Sequence, residues 1–198
     1  MALSPQRRHL LLPIATLIVS LALLAGAAWV TLSSRNPGAP PPSAIGGPFS
    51  LIDHDGRPVT DETFKGETTL VFFGFTHCPD VCPTTLFEIT QIMKKLGASA
   101  KVRGLFVTVD PERDTAELLK NYLSSFDKRI TGLTGDRPAI DAMLKTYRVY
   151  SRKVPTEGEA YSMDHSAIVY LMDKQMRFVN ALPIQDADRA VKEIQRWM

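Results

Sequence analysis

The two cysteines of this 198-residue chain, Cys78 and Cys82, lie between an apolar β-rich run, Leu70 to Phe73, and a helical pattern that begins at Pro83. This order places both thiols at a strand-to-helix junction. A helix N-terminus favours the thiolate, because unpaired N–H groups and the positive end of the helix dipole face it. Cys-x-x-x-Cys spacing on a helical turn keeps both sulfurs on one face. The pair is therefore redox-active or able to bind a soft metal ion; the alternative is a structural disulfide or two buried thiols.

Composition excludes several classes of protein. The net charge is +2 without blocks of Lys or Arg, so nucleic acid would find no basic surface to bind. Two cysteines are too few for a disulfide scaffold, and a chain of this length can bury a core of its own. The cysteine pair therefore has to be explained by its chemistry.

An apolar run from Leu10 to Leu32 precedes the cysteine region. About 20 helical residues cross a bilayer core, so we expect residues 1–32 to form an N-terminal membrane anchor. Arg7 and Arg8 predict that the start of this anchor stays in the cytoplasm. A cleaved signal peptide is the alternative, because small residues occur at Ala25-Gly26-Ala27. The apolar run continues beyond them, which favours an uncleaved anchor.

Residues 33–48 are rich in Pro, Gly and Ser, and they predict a semi-extended tether without a core of its own. A tether of this length reaches on the order of 40 Å. The domain formed by residues 49–198 would then stay close to the membrane. We expect a bacterial inner membrane with this domain in the periplasm, an oxidising compartment where a dithiol needs a reducing partner or a bound metal.

Residues 49–198 alternate between strand and helix patterns. A hairpin is predicted over residues 49–60, and strands over 68–73, 102–109, 130–133, 149–154, 166–172 and 176–180. Helices are predicted over 83–96, 137–147 and 186–197, and a further helix is predicted to be capped by Asp114. This order predicts an α/β, thioredoxin-like fold with an N-terminal β-hairpin, preceded by one transmembrane helix. Ligands of α/β sheets bind at the carboxyl ends of strands, where Cys78 lies.

A metal held by two cysteines needs further ligands from elsewhere in the chain. His165, at the mouth of a predicted strand, and His77, beside the cysteines, are the candidates, although either could be an ordinary turn residue. Asp164 is a candidate for positioning the histidine next to it. Two thiolates and an imidazole suit copper, especially Cu(I), whereas a structural zinc site needs a fourth ligand that the sequence does not supply. The acidic segment 110–114 is interpreted as a turn followed by a helix cap.

The chain contains three separated motifs: Gly74-Phe75-Thr76-His77-Cys78-Pro79-Asp80-Val81-Cys82-Pro83, Val109-Asp110-Pro111-Glu112-Arg113-Asp114-Thr115 and Asp164-His165-Ser166. In their order and spacing, and with Gly47-Pro48-Phe49 and Gly132-Leu133-Thr134-Gly135, they resemble the Sco/SenC proteins from about residue 46 to the C-terminus. The resemblance implies a thioredoxin-like fold whose Cys78, Cys82 and His165 bind copper, as Cu(I) or Cu(II). It also implies a role in building the binuclear copper (CuA) centre of cytochrome c oxidase. The implied partners are the copper-bearing subunit of that enzyme and a copper donor or thiol reductant.

The sequence therefore predicts a membrane-anchored copper chaperone. The first alternative is an enzyme, a thiol:disulfide reductase that acts on the cysteines of a partner protein, with Cys78 attacking and Cys82 resolving. A second alternative is a peroxidase-like or redox-signalling relative of thioredoxin, which would turn over peroxide.

Overall fold

The computed structural model describes residues 17–29, 45–157 and 160–198. Its strands are β1 (Ser50–Asp53), β2 (Pro58–Thr60), β3 (Thr68–Gly74), β4 (Val102–Thr108), β5 (Ile130–Thr134), β6 (Ser151–Pro155), β7 (Tyr161–His165), β8 (Val169–Met172) and β9 (Phe178–Ala181). Its helices are α1 (residues 17–29), α2 (Val81–Leu96), α3 (Ala116–Leu123), α4 (Arg137–Thr146) and α5 (Ala187–Gln195). A 3-10 helix spans Asp61–Phe64.

One sheet of seven strands has the order β2-β1-β5-β4-β3-β8-β9. β3, β4 and β5 are parallel, and β8 pairs antiparallel with β3 on its other side. Every residue of β3 is buried, as expected for a central strand that is covered on both faces. The predicted α/β class is confirmed. Because Gly74 pairs with Thr108, the carboxyl ends of β3 and β4 lie side by side.

Aromatic side chains cover both faces of the sheet. On one face Phe72 packs against Phe106, and Phe106 packs against Tyr122 of α3, with ring centroids 5.9 and 5.8 Å apart. On the other face Phe73 lies 5.4 Å from Tyr147, which follows α4. Successive side chains of a strand point to opposite faces, so β3 is held from both sides. The loop that leaves its carboxyl end therefore starts from a fixed position.

The predicted N-terminal hairpin is present, since β1 and β2 pair antiparallel. Asp53 stabilises the turn between them: its Oδ1 accepts hydrogen bonds from the backbone N–H groups of Asp55 and Arg57, both at 2.9 Å. Gly56 has φ +81°, a left-handed conformation that favours glycine. The Asp55-Gly56 pair thus forms the turn, as predicted.

α2 begins at Val81, not at the predicted Pro83. Asp80 is its N-terminal cap residue, and Pro83 stands inside the first turn. N–H groups of a first helical turn have no partner within the helix, so a proline there loses no hydrogen bond. The earlier start places Cys82 within the helix.

The strand predicted over residues 166–172 is wrong in its start, because β8 begins at Val169. β7, which the sequence pattern did not predict, precedes it and ends at His165. β6 and β7 pair with each other in a separate two-stranded sheet, which we call the histidine hairpin. The chain bends between His165 and Val169 because β7 pairs with β6, whereas β8 pairs with β3. In β7 only Met163 is buried, so hydrophobic periodicity could not indicate a strand.

The predicted membrane anchor falls only partly within the described residues. Residues 17–29 form α1, whereas residues 1–16 and 30–44, with most of the predicted tether, lie outside them. Among the residues that the structure describes, no helix has the length and apolar character needed to cross a bilayer.

Gly46 lies near the start of β3, at the end of this strand opposite Gly74. Gly46 N–H donates a hydrogen bond to the carbonyl of Thr146, the last residue of α4, at 3.1 Å. A Cβ on Gly46 would lie 3.0 Å from Met172 Cε, and Met172 pairs with Thr69 at the start of β3. Gly46 has φ +89°, so both its conformation and this close approach favour glycine.

Candidate metal centre

Cys78 lies in the turn between β3 and α2, whereas Cys82 lies in the first turn of α2. The expectation that both stand on one helical turn is therefore wrong for Cys78. Cys78 N–H donates to the carbonyl of Phe75 at 3.3 Å, which closes the turn. Cys82 N–H, one of the unpaired donors of the helix N-terminus, donates to Cys78 Sγ at 3.4 Å. The turn thus brings the two sulfurs together by folding Cys78 back over the start of α2.

Cys82 has no solvent exposure, and burial raises the pKa of its thiol. The helix N-terminus was expected to favour the thiolate, but at Cys82 desolvation opposes the charged form more strongly. Gly74 makes room for the sulfur: a Cβ at Gly74 would lie 2.9 Å from Cys82 Sγ and 2.6 Å from the ring of Phe106. Both cysteines are free thiols.

His165, the last residue of β7, points its imidazole at Cys82. Its Nε2 lies 3.6 Å from Cys82 Sγ, and its Nδ1 lies 3.1 Å from the carbonyl of Ser166. Because a carbonyl only accepts, Nδ1 carries the proton and the lone pair of Nε2 faces the sulfur. Burial lowers the pKa of the imidazole, which keeps it neutral. The Phe75 ring meets it edge-on with centroids 5.8 Å apart, which fixes its plane.

The sulfurs of Cys78 and Cys82 and a nitrogen of His165 all lie within 4.8 Å of one another. Ligand atoms about 2.0–2.3 Å from a common ion lie within about 4.6 Å of one another, so a small adjustment closes the site on a metal. Two sulfurs and one imidazole form a soft donor set that suits copper. In the described ranges no fourth Cys, His or carboxylate belongs to this group, and a closed tetrahedral zinc site is not formed.

The other sequence candidates lie outside this group. His77 is half-exposed, and its Nδ1 lies 3.1 Å from Thr76 Oγ1. Asp164 is exposed in β7, and its charge raises the pKa of His165 against the larger effect of burial. The structure therefore brings Cys78, Cys82 and His165 together and leaves His77 aside.

Asp114 holds the cysteine loop and is not the helix cap that the sequence suggested. Its fully buried carboxylate accepts hydrogen bonds from Thr76 N–H at 3.0 Å, from Thr76 Oγ1 at 2.6 Å and from Thr108 Oγ1 at 2.7 Å. The cap of α3 is Thr115, whose hydroxyl accepts from Leu118 N–H. Sequence reasoning missed this role of Asp114. The available signal was a carboxylate in the loop that follows a buried strand, together with threonine hydroxyls near the ends of two neighbouring strands.

Comparison with known proteins agrees with the fold. The family model described as SCO1/SenC matches residues 37–198. The chain belongs to the SCO1/SenC family. Among the curated relatives of this SCO1/SenC protein, the mitochondrial SCO1 homolog 1 of Arabidopsis thaliana is 40% identical over 78% of this chain and 48% of its own length. A SCO2-like protein of Rickettsia prowazekii is 34% identical over 90% of this chain and 93% of its own length.

Two solved structures are also similar to this SCO1/SenC protein. Bradyrhizobium japonicum ScoI with copper bound is 50% identical, with a TM-score of 0.75 over 78% of this chain and 99% of that one. BsSco, described as a member of the Sco family of cytochrome c oxidase assembly proteins with a disulfide switch, is 26% identical, with a TM-score of 0.59 over 76% of this chain and 91% of that one. The predicted family is confirmed, and the predicted copper is supported. The chain spans about half the length of the first curated relatives that it matches.

Proposed function

We propose that this SCO1/SenC protein is a copper chaperone that binds one copper ion through Cys78, Cys82 and His165. We propose that it delivers the ion to the CuA centre in the copper-bearing subunit of cytochrome c oxidase. One observation carries the proposal: two sulfurs from the β3–α2 junction and an imidazole from a distant hairpin lie within 4.8 Å of one another. The copper-bound relative and the description of BsSco as an assembly protein support the same function.

The three ligands differ in exposure, and this difference suits transfer of the ion. Cys82 is fully buried, whereas Cys78 and His165 are each only partly buried. Of the two sulfurs, that of Cys78 is therefore the one that an acceptor thiol would approach. A three-ligand site leaves a coordination position through which one ligand can replace another. Copper is the cargo of this exchange.

A reductase is the second candidate, and the same difference in exposure favours it. The Cys78 thiolate would attack a disulfide of the partner and form a mixed disulfide, and Cys82 would then attack Cys78 Sγ. The partner leaves with two thiols, and the chain leaves with one disulfide, having supplied two electrons. A thiol reductant would have to restore the pair. This role does not need His165.

The proposed location is a bacterial inner membrane, crossed once by the apolar run from Leu10 to Leu32, with residues 49–198 in the periplasm and residues 33–48 as the tether. The apolar sequence, the preceding Arg7 and Arg8, and the Pro-rich composition of the tether support it. A copper donor or a thiol reductant in that compartment would be the second partner.

Copper titration tests the chaperone function. The full chain, reduced and held in detergent, competes with a colorimetric Cu(I) chelator as the wild type and as Cys78→Ser, Cys82→Ser and His165→Ala. We expect one copper per chain in the wild type and an affinity loss of more than about 100-fold in each variant, since even groups that support a ligand are worth about 10- to 100-fold. His77→Ala is the matched control and should bind like the wild type. Unchanged stoichiometric binding by Cys82→Ser and His165→Ala would refute the proposal.

His165→Ala also separates the two candidate functions. The chaperone predicts that cells carrying this variant fail to assemble the CuA centre, even though both thiols remain. Full oxidase assembly together with full reduction of a test disulfide would favour the reductase.

A further inference from the structure

The histidine hairpin carries one of the three ligands but has no strand pairing with the main sheet in the described part of the chain. His165 is the last residue of β7, and its position depends on how this hairpin is attached. Met163 contributes an apolar contact with the core, which has no preferred direction. A directional attachment is found at the other end of β7, at Tyr161.

Arg113 joins this end of the hairpin to the loop that follows β4. Its Nε donates a hydrogen bond to Asp110 Oδ2, and its Nη1 donates to the carbonyl of Tyr161 at 3.0 Å. The guanidinium carbon lies 3.8 Å from the centroid of the Tyr161 ring, a stacked cation–π arrangement. Because the guanidinium is planar and makes two bonds in fixed directions, it determines both the position and the orientation of Tyr161.

Asp110 completes the attachment. It is fully buried, and its Oδ1 accepts a hydrogen bond from the Tyr161 hydroxyl at 2.9 Å. A buried carboxylate needs such partners, so removing one of them is costly. The Lys153–Glu112 ion pair is also near, but both side chains are nearly half exposed, and pairs of this kind contribute little. We call Asp110, Arg113 and Tyr161 the Arg113 cluster.

The Arg113 cluster also contacts the loop that bears the cysteines. The Arg113 guanidinium lies 5.9 Å from the centroid of the Phe75 ring, and Phe75 meets the His165 imidazole edge-on at 5.8 Å. One side chain thus lies between the segment that carries the sulfurs and the segment that carries the imidazole.

We propose that the Arg113 cluster holds the histidine hairpin closed over Cys82, and that Arg113, Tyr161 and Asp110 are positioning residues for the metal site. When the cluster breaks, His165 moves away from the sulfurs and Cys82 becomes accessible, so that copper leaves faster. The copper part of this inference rests on the proposed function; the closure of the hairpin over Cys82 does not.

The first experiment measures the closure without copper. The reduced, copper-free chain is alkylated with iodoacetamide, and the modification of each cysteine is followed by peptide mass spectrometry. Tyr161→Phe removes the hydrogen bond to Asp110 and keeps the aromatic ring, whereas Tyr161→Leu removes the hydrogen bond and the ring. Arg113→Lys keeps the positive charge and removes the planar guanidinium. We expect Cys82 to react about tenfold faster in Tyr161→Leu and Arg113→Lys, and by a smaller factor in Tyr161→Phe, whereas the partly exposed Cys78 changes little.

Two matched controls separate positioning from general loss of stability. Tyr147→Phe removes a buried hydroxyl for which the described residues supply no hydrogen-bond partner, and Arg177→Lys alters an Arg–Asp pair at the far end of the sheet. Both should leave the alkylation rate of Cys82 unchanged. Denaturant unfolding of every variant identifies those in which the whole domain is weakened. An equal rise in the controls, or wild-type alkylation of Cys82 in Tyr161→Leu and Arg113→Lys, would overturn the proposal.

The second experiment measures copper release to a Cu(I) chelator in excess. We expect Tyr161→Leu and Arg113→Lys to release copper about tenfold faster than the wild type and both controls. Release at the wild-type rate from variants whose Cys82 is accessible would overturn the part of the inference that concerns copper. A wild-type chain that binds no copper would refute the proposed function, and the alkylation experiment would still test the closure.

Discussion

At the scale of single residues, burial favours the neutral form of both Cys82 and His165. It raises the pKa of the thiol and lowers the pKa of the imidazole, so both groups are neutral before a metal arrives. The imidazole can bind a metal as it is, because its Nε2 lone pair already faces the sulfur. The thiol has to lose its proton, so metal binding at Cys82 releases one.

Substitution of Gly74 tests how closely the side chains around Cys82 are packed. Gly74→Ala adds a Cβ 2.9 Å from Cys82 Sγ and 2.6 Å from Phe106, which forces both to move. We expect a loss of about 1–3 kcal/mol in the free energy of unfolding, the usual cost of overpacking, together with weaker copper binding. Denaturant unfolding and chelator competition measure the two effects. Gly104→Ala is the control, because its Cβ would crowd Ile130 Cγ1 at 3.0 Å and Met93 Cε at 3.2 Å, neither of which belongs to the metal centre, and it should leave copper binding intact.

Substitution of Asp114 tests whether its carboxylate holds the cysteine loop in place. Asp114→Asn replaces one acceptor oxygen by a donor that faces hydroxyls, so we expect a loss of about 1.5–3 kcal/mol in the free energy of unfolding. The amide proton of Thr76, which donates to this carboxylate, should exchange with solvent faster, as hydrogen-exchange mass spectrometry or NMR would show. Thr115→Ala, which removes the cap of α3, should cost about 1 kcal/mol and leave that amide protected. Equal exchange of Thr76 in both variants would contradict the role of Asp114.

At the scale of secondary-structure elements, an ion pair fixes the start of β5. The guanidinium of Arg129 donates two hydrogen bonds to the carboxylate of Asp127 and one to the carbonyl of Gly97 after α2, and the backbone N–H of Arg129 donates another to Asp127 Oδ1. The hydrogen bonds from Arg129 lower the pKa of Asp127 below its ordinary value of 3.8. Both side chains are largely buried, so the pair contributes more than a surface pair.

This pair predicts a pH dependence. Because the folded-state pKa of Asp127 is lowered, its contribution is complete above the unfolded value of about 3.9 and is lost as the pH falls through the folded value. Asp127→Asn should therefore cost about 1–3 kcal/mol in urea unfolding at pH 7, and the difference from the wild type should shrink as the pH falls below the unfolded value. Glu62→Gln, in the exposed pair with Lys65, should change little at either pH. An equal difference in the free energy of unfolding between Asp127→Asn and the wild type at pH 7 and at acid pH would contradict this assignment.

The sequence predicted the central elements better than the hairpin that completes the site. β3 and β4 each contain a buried apolar run, Leu70–Phe73 and Leu105–Val107, and the cysteines stand where a strand passes into a helix, so local patterns were sufficient there. β7 has one buried residue, so no alternation of apolar and polar residues indicates that it is a strand or that it pairs with β6. The approach of His165 to the cysteines depends on this pairing. The sequence pattern left His165 and His77 as candidates, and only the resemblance to a family selected His165.

At the scale of the whole molecule, the chain joins the domain at one end of the sheet and carries its thiols at the other. We therefore expect that replacing residues 1–44 with an unrelated soluble domain leaves the copper stoichiometry and affinity unchanged. Equilibrium dialysis of the fusion against the full chain measures this. A tenfold weaker affinity in a fusion whose circular dichroism matches that of the full chain would contradict the prediction.

The position of Gly46 also has a consequence for how another protein can approach the domain. Gly46 lies near Met172, which pairs with Thr69 at the start of β3, whereas the cysteine turn follows Gly74 at the end of β3. β3 holds 7 residues, a length of about 23 Å at 3.3 Å per residue. A protein that covers the proposed copper site therefore leaves the entry point of the chain uncovered.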